Sequence, residues 1–334
     1  MKYLSLFSGY GGFELGIQQA YEERCVGCEK WGNELCSSDK GKSKVSSSGN
    51  TEGRCSKQPD NGAEGLTCIG FSEIDKYAIQ VYKKHFNHKE YGDITKLDPT
   101  TLPDFDLLCG GFPCQAFSIA GKRAGFEDTR GTLIYDVFRI IKEKHTKLVL
   151  LENVKGLLSH DNGRTFKTII TSLAELGYAV EWQVLNAKNY GVPQNRERVF
   201  IIGHLGGFGG RQVFPITEGS QGNLKYSGAV ISARQKWLQD GKNNSRNFSQ
   251  GQRIYNTDGI SQCLAGNAGG QGGKTGLYET EELKIRRLTP TECERLMGLP
   301  DGWTEGVSDT QRYKLCGNGV VVNVVKEIIK RLTL

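Results

Sequence analysis

The feature that most constrains this fold lies in the first two dozen residues. "KYLSLFSGYGG" is a short apolar run that ends in a Gly-rich turn, and "FELGIQQAY" follows at helical spacing. Together they read as a strand, a tight turn and a helix, with glycines that let a ligand approach the backbone and the helix N-terminus. The alternation then repeats. "CIGFSEID" reads as strand and turn, "KYAIQVYKKHF" as helix, "DFDLLCGGF" as strand and "TLIYDVFRIIKEK" as helix. "KLVLLENV" is a strand, "TFKTIITSLAELG" a helix, and "YAVEWQVLNA" and "RVFIIGHL" are strands. Strands alternating with helices of this length predict a mostly parallel sheet covered on both faces. Ligands in such sheets sit beyond the carboxyl ends of the strands, where the first glycine turn, Cys114 and Glu152 all fall.

Two segments break the alternation. Between Cys25 and Cys68 the chain turns polar and Ser/Gly/Lys-rich, so it buries too little apolar surface to offset its ordering entropy. From Gly206 to about Glu282 it is rich in Gly, Asn, Gln and Ser, with short strand-like pieces such as "GQRIYNT" and "GGKTGLY". A length of 334 residues accommodates one large domain and a small one. The expected division is 1–205 for the large domain with an insertion at about 27–67, then 206–282 for a smaller irregular one. Residues 283–334 form a hinge and a final helix, "GNGVVVNVVKEIIKRL", packing back on the large domain. No apolar run approaches a membrane span and the first residues lead straight into a strand, so a cytoplasmic protein is expected. A formal charge of +6 permits a polyanionic partner without requiring one.

Ten cysteines in an intracellular chain read as thiols or metal ligands before disulfides. Cys114, in "GGFPCQAFS", stands at a tight strand-to-loop junction, where a thiol near cationic side chains gains thiolate character. Four pieces fall on loops at the same sheet edge: "FSGYGG", "PCQ", "LLENV" and "QNRERVF". In order and spacing they resemble the C5-cytosine DNA methyltransferase family. The resemblance extends through "SEID", "YGDITKL", "GKRAGFEDTRGTLIYD", "RRLTPTECERLMGLPDGW" and "YKLCGNGVVVNVV", and so covers nearly the whole chain.

That resemblance implies a Rossmann-like α/β S-adenosylmethionine-dependent methyltransferase fold with a smaller, irregular, β-rich target-recognition domain. It implies Cys114 as a nucleophile adding at cytosine C6 and Glu152 as the acid at N3, with Arg196 and Arg198 supporting the adduct and its acid. The methyl donor is then S-adenosylmethionine. Phe7, Gly9, Tyr10 and Gly12 bound its methionine and adenine regions, and Glu73 suits the ribose hydroxyls. Asp93 accepts from the adenine amino group, with Ile74, Ile94, Pro113, Leu133, Asn318 and Val320 as walls. Two residues depart from the family pattern there: Gly319 stands for a serine and Asn323 for a proline, both read as tolerated wall changes.

A base inside a duplex is out of reach of a thiol, so the family chemistry implies an extruded cytosine in double-stranded DNA. Gln115, Ser118, Lys122, Arg123 and Arg130 lie on the loop after Cys114, the expected lid over DNA. Gln250 and Arg253 are the expected base readers, since Arg reads guanine bidentately; solvated polar loop residues are the plainer alternative. Cys263 replaces a threonine of most relatives. The insertion, with Cys25, Cys28, Cys36, Cys55 and Cys68, is read as a surface loop rather than a zinc site, because its spacings are irregular and it lacks histidine. No metal is expected. The enzyme is expected to act as a monomer, with a cognate restriction endonuclease acting on the same site. An RNA-directed relative is disfavoured because no Cys-Phe-Thr tripeptide follows "ENV". A catalytically dead DNA-binding relative is disfavoured by the intact Cys114, Glu152, Arg196 and Arg198.

Overall fold

A computed structural model describes residues 1–30, 65–113, 133–209, 212–216, 254–256, 260–266, 275–279 and 285–332. The expected alternation is present. Strand β1 (Lys2–Leu6) leads to helix α1 (Gly12–Lys30), β2 (Thr67–Ser72) to α2 (Lys76–His85) and β3 (Leu107–Gly111) to α3 (Leu133–Lys144). Then come β4 (Leu148–Val154), α4 (Arg164–Glu175), β5 (Tyr178–Asn186), the two-residue β6 (Gln194–Asn195) and β7 (Glu197–Leu205). Short strands β8 (Ile254–Asn256), β9 (Ser261–Gln262), β10 (Leu277–Glu279) and β11 (Ile285–Arg286) precede helices α5 (Pro290–Leu296), α6 (Asp309–Asn318) and α7 (Val322–Leu332).

The main sheet has the order β2-β1-β3-β4-β7-β5. The first four strands are parallel, while β7 runs antiparallel between β4 and β5. The sheet is therefore mixed, because β5 and β7 follow each other without a helical crossover. Both faces are covered. Side chains alternate along each strand, so Leu107, Cys109, Leu150, Phe200 and Ile202 enter the core beneath α1 and α7. Leu108, Val149, Leu151, Val199 and Ile201 enter the opposite core, with α3 and α4.

Two boundaries differ from the sequence reading. Helix α1 continues to Lys30, into the polar stretch. The final segment is two helices rather than one, because α6 ends at Asn318 and Gly319 is extended before α7 begins at Val322. Helix α7 packs against α1, where a side chain at Gly16 would meet Val325 at 2.8 Å. Cys68, at the far edge of the insertion, points its thiol at the Gly70 carbonyl, and burial pushes its pKa up to about 12. The side chains of Cys25, Cys28, Cys36 and Cys55 lie outside the described residues. Among the described residues no helix is long and apolar enough to cross a membrane.

Candidate active site

The chain runs outward from β1 to β2 and then returns to β3 on the other side of β1. That reversal opens a crevice beyond the carboxyl ends of β1 and β3, the place where such sheets hold ligands. A cavity of about 660 Å³ occupies it. Every residue assigned above to the cofactor lines this one cavity: Phe7, Gly9, Tyr10, Gly12, Glu73, Ile74, Asp93, Ile94, Pro113, Leu133, Asn318 and Val320. Glu152 and Arg198 line it too.

The turn after β1 is held in shape by its neighbours. Phe7 takes a positive φ of 53°, a strained backbone state for a bulky residue and one that accumulates at ligand sites. Glu73 accepts from the Gly9 amide at 2.9 Å through Oε2, and from the Ile74 and Asp75 amides at 2.8 and 2.9 Å through Oε1. Oε1 is filled by its two amide donors, and Oε2, with one, keeps a lone pair for a hydroxyl donor. Asp93, which lines the cavity, uses Oδ1 to cap the short turn at Thr95, and the Thr95 amide and hydroxyl hold its carboxyl below the usual range. Across the mouth, Lys314 pairs with Asp75 at 2.7 Å, and both line the cavity.

Glu152 sits on β4 opposite Gly111 of β3. A side chain at Gly111 would meet Glu152 Oε2 at 2.9 Å, so the glycine makes room for the carboxylate. On β7, Arg198 lies opposite Val154, two residues along the same face, and its Nε reaches Glu152 Oε1 at 3.0 Å. Glu152 is 8% exposed. Burial pushes its carboxyl above the ordinary range, against the pull of Arg198 and then Arg196. The result is a buried acid whose protonated form is favoured over that of a surface glutamate. Asn153, the middle residue of "ENV", has a structural task. It donates to the Phe112 carbonyl at 2.8 Å, so it fixes the backbone two residues before Cys114.

Arg196 makes its hydrogen bonds away from Glu152. It is 1% exposed, and no hydrogen bond joins it to Glu152. Its Nη1 donates to the Leu264 carbonyl at 3.1 Å and to Cys263 Sγ at 3.3 Å, and its Nη2 to the Gly317 and Gly319 carbonyls at 2.9 and 2.8 Å. A planar fork suits this task, because four acceptors converge on it from two chain segments. Gln194 completes the joint: its Nε2 donates to the Leu296 carbonyl at 2.8 Å and its Oε1 accepts from the Leu264 amide at 3.1 Å. Arg196 thus touches the acid only through its charge. Leu264, Ala265, Gly266 and Gly317, wall residues that the sequence reading missed, are placed by this joint. Their signal was absent because the contacts join residues 68 to 123 positions apart.

The nucleophile candidate Cys114 and the lid residues Gln115, Ser118, Lys122, Arg123 and Arg130 lie outside the described residues, as do Gln250 and Arg253. Pro113 and Leu133, which bracket residues 114–132 in sequence, both line the cavity.

A sequence profile described as C-5 cytosine-specific DNA methylase matches residues 61–221 and 216–333. The chain belongs to the C-5 cytosine-specific DNA methylase family. It is 42% identical to the type II methyltransferase M1.ScrFI of Lactococcus lactis subsp. cremoris over 284 residues, covering 80% of this chain and 72% of that protein. It is 40% identical to the type II methyltransferase M.HhaI of Haemophilus parahaemolyticus, covering 79% and 86%. The Dnmt2 methyltransferase of S. pombe shares its fold, with a TM-score of 0.65 at 16% identity over 98% of this chain and 97% of that one. Membership makes the protein a DNA cytosine methyltransferase, an enzyme that draws on a methyl donor.

Within this methylase family, the departure at Gly319 gains a physical reason. A Cβ there would lie 2.1 Å from the Tyr10 ring, whose hydroxyl donates to the Val320 carbonyl at 2.6 Å. Tyr10 occupies the space that a serine side chain would need. Asn323 falls in the first turn of α7, where its amide donates to the Tyr190 carbonyl at 2.8 Å, a bond that proline cannot make.

Proposed function

We propose that the enzyme transfers a methyl group from S-adenosylmethionine to C5 of an extruded cytosine in a specific duplex sequence, with transient addition of Cys114 at C6. The observation that carries this reading is the buried Glu152, gripped by Arg198 at 3.0 Å on the wall of the cavity that also gathers the cofactor residues. The donor set fits S-adenosylmethionine: of the four carboxylates that line the cavity, Asp75 and Glu152 are paired with Lys314 and Arg198, which leaves Glu73 and Asp93 for the donor beside a wall of aromatic, aliphatic and glycine residues. Phe7, Ile74 and Leu133 suit the adenine and the thioether carbons, and the carboxylates suit the hydroxyl and amino donors. When bound, S-adenosylmethionine supplies the electrophilic methyl group.

The chain's own groups do the rest. Cytosine C5 is a weak nucleophile, and a thiolate adding at C6 turns the ring into an enamine-like species that attacks through C5. Charge builds at N3 as the thiolate adds. Glu152 meets it with a proton or a hydrogen bond and accepts from the 4-amino group, while Arg198 holds the carboxyl in place. Water then takes the C5 proton as the C6–S bond breaks and its electrons return to the Cys114 thiolate, which restores the aromatic ring. Asn153 keeps the Phe112–Pro113 backbone, and with it the start of the Cys114 loop, against the end of β4. Residues 206–282 read the DNA, with Arg253 and Gln250 as first candidates. In this reading the enzyme is a monomer in the cytoplasm, and the type II naming of its relatives is compatible with a companion endonuclease. The test is tritium transfer from labelled S-adenosylmethionine to a mixed-sequence duplex. Cys114→Ala is expected to abolish it and retain DNA binding, and wild-type turnover in that variant would remove Cys114 from the mechanism.

A further inference from the structure

Glu181 is a carboxylate in the middle of strand β5, 8% exposed and well away from the cavity. Its partners are unusual for a strand residue. Both oxygens accept from the Val213 amide at 3.0 Å, and Oε2 also accepts from the Phe214 amide at 2.8 Å. His204 Nε2, from the neighbouring strand β7, lies 2.8 Å from Oε1. Two residues along the same face of β5, Gln183 repeats the pattern. Its Oε1 accepts from the Ile216 amide at 2.7 Å and its Nε2 donates to the Ile216 carbonyl at 3.0 Å. Two side chains thus stand in for a partner strand, satisfying main-chain groups that would otherwise be buried without bonds. Val213, Phe214 and Ile216 bury their own side chains beneath this zip.

The zipped segment is the stretch through which the chain leaves β7 and heads into residues 217–253. We infer that Glu181 is a positioning residue for DNA recognition: it fixes the point from which the recognition region departs, and so sets affinity for duplex rather than the methyl-transfer step. The inference rests on the reading that residues 206–282 recognise DNA. None of Glu181, Gln183, His204 and residues 213–216 lines the cofactor cavity. Loss of the anchor therefore leaves the cofactor site untouched. Removing the carboxylate strands two buried amides and His204, and hydrogen bonds to a charged acceptor are the strong ones.

The experiment compares wild type with Glu181→Ala and Glu181→Gln in three measurements: KM for a cognate duplex, kcat at saturating duplex, and Kd for S-adenosylhomocysteine. Glu181→Ala is expected to raise the duplex KM about tenfold or more. Its kcat and cofactor Kd should stay within about twofold of wild type, the pattern of lost binding rather than lost chemistry. Glu181→Gln keeps one acceptor oxygen for the two amides and should recover most of the loss. If Glu181→Ala fails to fold, the glutamine variant carries the test alone, with a KM rise of about threefold expected from one weakened charged bond. An unchanged duplex KM in both variants would overturn the inference, as would equal losses in kcat, cofactor Kd and KM. Exchange of residues 217–253 for those of a relative separates the two readings. If that exchange leaves the methylated sequence unchanged, the recognition reading fails. If it changes the sequence while the Glu181 variants keep a wild-type KM, only the anchor fails.

Discussion

Glu14→Gln is expected to make the protein more stable above neutral pH. Glu14 sits in the first turn of α1, 1% exposed, behind the glycine turn of the cofactor cavity. Its Oε1 accepts from the Tyr82 hydroxyl at 2.9 Å, while Oε2 is buried with no hydrogen-bond partner. Burial pushes its carboxyl up to about 7, against bonds from Ser5 and Tyr82 that favour the ionised form. The folded-state pKa is raised, so the folded chain holds a proton that the unfolded chain releases. The associated stability is present below about pH 4.5 and is lost as pH rises through about 7. Moving a carboxyl from 4.5 to about 7, at about 1.4 kcal/mol per pH unit, makes the ionised group cost roughly 3 kcal/mol. Glutamine mimics the protonated acid and escapes that cost. His88, 2.8 Å from the same Tyr82 hydroxyl, is held by burial at about 4 and stays neutral across the window. Urea unfolding of both proteins, followed by tryptophan fluorescence at about pH 5 and about pH 8.5, measures the difference. Wild type should fall behind Glu14→Gln by roughly 2–3 kcal/mol over that range. A difference independent of pH, or a glutamine variant that is the weaker at about pH 8.5, would refute the reasoning.

Other outcomes follow from the site. Glu152→Gln keeps the shape but not the proton, so kcat should fall by about two to four orders of magnitude with cofactor affinity preserved; a loss below about threefold means that another group serves N3. Gly319→Ser restores the commoner family residue yet should destabilise the protein by about 1–3 kcal/mol, because its Cβ meets the Tyr10 ring. Tyr10→Leu in the same chain should recover much of that loss, and purely additive thermal shifts would show that the two positions do not share the space. Replacing residues 31–64 by a short Gly/Ser linker should leave folding and methyl transfer largely intact, since the stretch has little apolar surface to contribute. Stoichiometric zinc in the purified protein, lost together with activity on chelation, would show the opposite.

The strand and helix order was legible because apolar periodicity switches cleanly at each turn, and residues such as Phe7, Glu73 and Asp93 were placed by motif. What escaped notice depends on contacts distant in sequence. The antiparallel course of β7 leaves no trace in "RVFIIGHL", which is buried on both faces like its parallel neighbours. The break after Asn318 is hidden because "GVVVNVV" continues an apolar helical pattern. Glu14 and Glu181 look like solvent-facing charges on a helix and a strand, and only the packed fold shows their burial. The resemblance carried by "QNRERVF" gives Arg196 and Arg198 a shared supporting role, and their different partners show only in the packed fold. Arg196 falls between β6 and β7 and sends its guanidinium to the Leu264, Gly317 and Gly319 carbonyls, whereas Arg198 stands within β7 and pairs with Glu152.

The most direct test of the account is a product analysis. Wild-type enzyme and Cys114→Ala are each incubated with methyl-labelled S-adenosylmethionine and a mixed-sequence duplex, and the DNA is digested to nucleosides and resolved by mass. The account predicts label in 5-methylcytosine alone for wild type, and none for Cys114→Ala although it still binds the duplex. Label on an exocyclic amine, or 5-methylcytosine formed at the wild-type rate without Cys114, would contradict it.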